Sequence, residues 1–176
     1  MHNLKASTRK AVEIDFDGWL RPRGDDEFFE FCQRQRGLRV EMDRYGAIVI
    51  MPPTGGETGR IDFRLIAGFA AWVDPAWIKR EKGFAIPLEQ RKKFAPIRPD
   101  FVVELRSETD SLPRSQAKMA EYIENGAALG WLIDVAGKTV YAYRPDTPVE
   151  VLAHPSGLSG EPLLKGFVLR RDAIFV

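Results

Sequence analysis

The sequence predicts an α+β domain, a mixed β-sheet flanked by helices. Three observations point there. The run from Ile97 to Ser107 (Ile-Arg-Pro-Asp-Phe-Val-Val-Glu-Leu-Arg-Ser) has β-forming residues at its centre and a proline, Pro99, where a strand can begin. Two segments, opening at Asp25 and at Ser111, carry helical start and stop signals around an apolar stripe. Leu129 to Val135 and Thr139 to Tyr143 are strand-like runs joined by Ala136-Gly137-Lys138, the pattern of a hairpin.

Residues 1–24 mix charges with Gly, Pro and Trp, and we expect a flexible lead-in to a single domain over 25–176. Asp25-Asp26-Glu27 places acids in the first turn of a helix, where they complement its dipole, and Phe28, Phe29, Phe31 and Cys32 supply its apolar face. Gly37 is positioned to end it. From Leu38 to Met51 two strand-like runs flank Asp43-Arg44-Tyr45-Gly46, which predicts a hairpin. Pro52 to Gly59 reads as a loop, and its glycines lack the Gly-Lys-Ser/Thr that a phosphate-cradling loop requires. Leu65 to Val73 fits either a short buried helix or two short strands meeting at Gly68. Further on, Ser111 is a suitable N-cap and Pro113 suits a first helical turn. That helix runs to Asn125 and stops at Gly126, with Met119, Tyr122 and Ile123 as its stripe and Lys118 on the flank. Val149 to Ala153 and Phe167 to Leu169 are the last predicted strands, joined by a loop around Pro155-Ser156-Gly157.

Composition narrows the function classes. At 176 residues one domain can bury about two thirds of its extended surface. With 44% hydrophobic and 29% charged residues, wholesale disorder is not expected. Cys32 is the single cysteine, which excludes an internal disulfide and a multi-cysteine zinc site; among phenylalanines it reads as core filler rather than nucleophile. His2 and His154 lie near a terminus and in a Pro/Gly/Ser loop, outside any ligand or catalytic pattern. No signal-peptide pattern or long apolar run is present, so a cytoplasmic protein is expected. The formal net charge of +1 gives no overall pull toward nucleic acid. A local one exists between Lys79 and Arg98, where seven basic residues face two acids; it is either a solvated surface or a phosphate-binding one.

The chemistry concentrates on the Ile97–Ser107 run. Side chains two apart on a strand point the same way, so Asp100, Glu104 and Arg106 share a face. Two acids and a cation on an apolar strand are costly to bury unless something compensates. A divalent metal would compensate, and Glu104-Leu105-Arg106 has the spacing of the Glu-x-Lys signature of metal-dependent nucleases. An edge strand with a solvated ion pair is the alternative.

Longer runs carry a resemblance. Pro99-Asp100-Phe101-Val102-Val103-Glu104-Leu105-Arg106-Ser107, Gln116-Ala117-Lys118-Met119, Glu121 to Ala127 and Gly130-Trp131-Leu132-Ile133-Asp134 resemble the Uma-type restriction-endonuclease-like proteins of the PD-(D/E)XK superfamily. Met51 to Gly59, Tyr141 to Pro145 and Leu158 to Pro162 extend the likeness over most of the chain. The resemblance implies a restriction-endonuclease-like mixed β-sheet flanked by helices. It also implies an Mg²⁺- or Mn²⁺-dependent endonuclease that hydrolyses DNA phosphodiester bonds. Its first acid would be Asp74, its second Glu104 with Asp100 beside it, and these three would bind the metal. Lys118 would be a catalytic lysine displaced to the helix, and Arg106 occupies the older Glu-x-Lys position. DNA is the implied partner, with a homodimer as an option and no membrane. The other implied reading is a catalytically degenerate homologue that binds nucleic acid or a protein without cleavage.

Two departures matter. The resemblance implies about 25–30 further residues between Gly59 and Phe63, enough for a helix and the first strand of the sheet. The shortened join favours two strands for 63–73. Val73 also replaces the usual proline before the first acid, and Pro75 follows it.

Overall fold

The computed structural model describes residues 24–35, 38–42, 45–51, 55–73, 92, 94, 98–108 and 110–175. The chain divides into two compact units.

The first unit contains helix α1 (Asp25–Arg34) and strands β1 (Arg39–Met42) and β2 (Ile48–Met51). The strands form the expected antiparallel hairpin, with Val40 opposite Ile50. Phe28 and Phe31 of α1 are buried, and Phe94 sets its ring against Phe28 at 5.4 Å and Phe29 at 5.3 Å. Burial pushes the Cys32 thiol up, away from the thiolate that a nucleophile needs, in keeping with a packing role. The helix closes at Gln35, whose N–H bonds to the Phe31 carbonyl. Gly37, expected to end it, lies outside the described residues.

The second unit carries the sheet. After helix α2 (Gly56–Trp72) come β3 (Phe101–Arg106), α3 (Leu112–Glu124), β4 (Leu129–Asp134), β5 (Thr139–Tyr143) and β6 (Glu150–Ala153). Strands β7 (Gly157–Ser159) and β8 (Val168–Arg170) and the short helix α4 (Arg171–Ile174) follow. The sheet order is β3-β4-β5-β6, with β3 and β4 parallel and the other neighbours antiparallel. This is the mixed sheet the sequence predicts. The parallel pair requires a crossover, and α3 provides it.

Both faces of the sheet are covered, which is why all of β4, from Leu129 to Asp134, is buried. On one face Ile61 and Leu65 of α2 meet Leu129, Trp131, Ile133, Val140 and Ala142, and the β7–β8–α4 segment adds Leu158, Leu169 and Ile174. Phe69 stacks on Phe167 at 4.7 Å and meets Phe101 edge-on at 5.6 Å. On the other face Met119 of α3 packs with Leu132 and Tyr143, flanked by Val102, Tyr122 and Ile123. Gly130 makes this approach close: a Cβ there would fall 2.5 Å from the methyl of Met119 and 3.1 Å from Val102.

The two-strand expectation for residues 63–73 is corrected, because Gly56–Trp72 is one helix of 17 residues. Ile61, Leu65, Phe69 and Trp72 follow a 3.6-residue period and face the core. Phe63 and Ile66, 71% and 66% exposed, are apolar on the outer face and hide that period in the sequence. Gly68 marks close packing rather than a bend, since a Cβ there would lie 3.3 Å from Leu169. The helix also absorbs the end of the stretch expected as a loop over Pro52–Gly59. Strand β7 and helix α4 fall where the sequence suggested only a loop and a chain end. Among the described residues no helix is long and apolar enough to cross a membrane.

Helix and strand readings of α2 differ in a measurable way. In a strand Phe63 and Leu65 would share a face, whereas here one is exposed and the other buried. Leu65→Ala is expected to cost about 2–5 kcal/mol in urea unfolding, and Phe63→Ala within about 0.5 kcal/mol. Equal losses would contradict the helix.

Candidate functional site

Strand β3 sends Phe101, Val103 and Leu105 into the α2-side core. Val102, Glu104 and Arg106 therefore point to the side covered by α3. In the parallel register Glu104 stands beside Leu132, and Arg106 beside Asp134. Arg106 thus finds a counter-charge within the sheet. Glu104, next to a leucine, has to find one above it.

That charge comes from α3. Met119 is fully buried, which sets the rotation of the helix and places its neighbour Lys118 on the flank of the apolar stripe. The Lys118 ammonium donates to Glu104 Oε1 at 3.2 Å, with the two side chains 28% and 26% exposed. Among the described residues no other hydrogen bond is made by the Glu104 carboxylate, so Oε2 is open.

The second pair is drier and tighter. Arg106 Nη1 donates to Asp134 Oδ1 at 2.7 Å, with the side chains 17% and 9% exposed. Arg106 Nε also donates to the main-chain carbonyl of Asp110 at 3.0 Å. Asp110 and Asp134 were not among the sequence candidates. The available signal was an acid ending a wholly apolar run, Leu129 to Asp134, just before a turn: such an acid must be paired to be buried.

Asp100 is exposed at the entrance to β3, and its carbonyl accepts from the N–H groups of Ala128 and Leu129. Phe101, Val102 and Val103 lie between it and Glu104, and four residue rises put the Cα atoms about 13 Å apart. Asp74 lies outside the described residues, as does most of the basic stretch; of its seven cations Lys92 and Arg98 are described, both exposed. Among the described residues no three His, Cys, Asp or Glu side chains converge as a metal-binding group.

Residues 74–172 match the family model of Uma2, described as "Putative restriction endonuclease". That span is more than half of the chain. The chain belongs to the Uma2 family. A solved structure described as a putative nuclease belonging to DUF820, from Anabaena variabilis ATCC 29413, superposes with a TM-score of 0.66 at 19% sequence identity. The match covers 87% of this chain and 97% of that one, and it supports the restriction-endonuclease-like fold. No curated protein matches. Within the Uma2 span lie β3, α3 and β4, and with them both ion pairs.

The two pairs should behave differently when broken. A double-mutant cycle of Glu104→Gln and Lys118→Met is expected to give a coupling of about 0.5–1 kcal/mol, because both groups are reached by solvent. Arg106→Met strands the buried Asp134 carboxylate and is expected to cost about 3–5 kcal/mol. Urea unfolding at neutral pH measures both. A Glu104–Lys118 coupling as large as the Arg106 loss would exchange their assignments.

Proposed function

We propose that this Uma2 protein is a metal-dependent endonuclease acting on DNA, with Glu104 and Lys118 at the centre of its site. The observation that carries the reading is the 3.2 Å approach of the Lys118 ammonium to the Glu104 carboxylate, across a partly open face of β3. A structural ion pair alone would explain the contact. In favour of a site, the pair lies within the span that matches the family model, and among the described residues nothing bonds to Glu104 Oε2.

Carboxylate oxygens are the donors that hard divalent ions prefer, and Glu104 fits that requirement. Glu104 and Asp74 would hold Mg²⁺ or Mn²⁺, which supplies polarisation of the phosphate and a more acidic bound water. Asp100, about 13 Å along the same strand, is assigned to the approach to the site rather than to a common ion. Lys118 places a fixed positive charge beside Glu104 and stabilises negative charge building on the phosphate oxygens. Arg106, already paired with Asp134, keeps its charge but is a poor proton shuttle. If the basic stretch from Lys79 to Arg98 binds phosphate, affinity for DNA falls steeply as salt rises.

The test is nicking of supercoiled plasmid by purified protein. Cleavage is expected with Mg²⁺ or Mn²⁺ and not in EDTA. Glu104→Ala and Lys118→Ala should each lower the rate by at least about 100-fold. Activity that survives in EDTA or in the Glu104 variant overturns the reading. Salt-sensitive DNA binding without cleavage would favour the degenerate homologue, in which Lys118 simply neutralises Glu104.

A further inference from the structure

Arg106 occupies the position where the nuclease signature has its cation, yet its bonds lead away from Glu104. The guanidinium reaches in two directions. Nη1 holds Asp134 Oδ1 at the end of β4, and the same oxygen accepts the Gly137 N–H at 3.1 Å in the β4–β5 turn. Nε holds the Asp110 carbonyl in the join between β3 and α3. That join is itself closed twice: Asp110 Oδ2 accepts the Ser107 N–H at 2.9 Å, and the Asp110 N–H donates to the Ser107 carbonyl at 3.2 Å. Ser111, the next residue, is the N-cap of α3, and its carbonyl accepts the Ser115 N–H.

We propose that Arg106 is a positioning residue, a latch between the β3–α3 join and the β4–β5 turn that sets where α3 begins and so where Lys118 meets Glu104. The consequence for cleavage rests on the nuclease reading above; the latch itself rests on the bonds. Three features favour it over direct contact with a phosphate. The guanidinium is mostly buried and its charge is already met by Asp134 at 2.7 Å. The two bonds it makes among the described residues, from Nε and Nη1, both go to groups at the end of the sheet, whereas Lys118 engages Glu104 from the helix above. A planar fork holds a carboxylate and a carbonyl at a fixed separation, which a lysine cannot do with one ammonium.

The experiment has two arms. Amide hydrogen exchange is read at Ser107, Asp110 and Ser115 in the unaltered protein, in Arg106→Gln and in Asp134→Ala, which removes the acceptor of the Arg106 bond. Losing a hydrogen bond to a charged group should speed exchange at these amides by about tenfold or more. It should do so in both variants, although Asp134 is on another strand. If the Asp134 variant leaves these three amides unchanged, there is no latch. Should Arg106→Gln fail to fold, Arg106→Lys takes its place, since lysine can keep Asp134 but not Asp110 as well.

The second arm is plasmid nicking. Both variants should lose kcat by about tenfold or more, from the same lost bond, and the double variant no further. KM and the salt dependence of DNA binding should stay as in the unaltered protein. If Arg106→Gln instead raises KM and lowers the salt slope by about one while Asp134→Ala does neither, Arg106 touches phosphate and the proposal falls. If the unaltered protein does not cleave DNA, the nuclease reading has failed and the exchange arm alone decides the latch.

Discussion

The arrangement depends on how α3 lies across the parallel β3–β4 pair. Met119 is the anchor: it is fully buried against Leu132 and Tyr143, and Gly130 leaves the sheet bare where its methyl lands. A side chain at Gly130 would force the helix outward or move Met119. Because Lys118 adjoins Met119, the same contact that builds the core places the ammonium over Glu104. Packing and the candidate chemistry therefore share one constraint.

Charge on the α3 side of β3 is handled in two ways, and burial separates them. Arg106 and Asp134 are register partners and nearly dry, so either one without the other is a buried, uncompensated charge. Glu104 and Lys118 are each about a quarter exposed, and solvent screens what they gain. A pair held so loosely adds little to stability. On the proposed reading it would exchange partners when a phosphate or a cation arrives.

Much of this was legible in the sequence, and the failures have physical causes. The β4–β5 hairpin and α3 could be read from turn residues, the Ser111 and Pro113 start and the Gly126 stop, all of which act locally. α2 could not, because Phe63 and Ile66 put apolar side chains on its exposed face and three glycines, Gly56, Gly59 and Gly68, lower its helix propensity. Its identity comes from packing against Trp131, Leu169 and Ile174, which are distant in sequence. At the site, strand alternation correctly put Glu104 and Arg106 on one face. It could not reveal that they answer to different partners, since that depends on the β3–β4 register and places Asp134, not Leu132, beside the arginine.

The central claim is that Glu104 is a metal ligand held in place by Lys118. A crystal structure of the protein with Mn²⁺, with anomalous scattering collected to locate the ion, tests it most directly. An anomalous peak is predicted about 2 Å from a Glu104 oxygen, the distance of a small hard cation from its oxygen ligands, with the Asp74 carboxylate completing the protein ligands and Lys118 beside them. Millimolar Mn²⁺ that leaves no peak at Glu104, with the carboxylate still bonded to Lys118 alone, would contradict it.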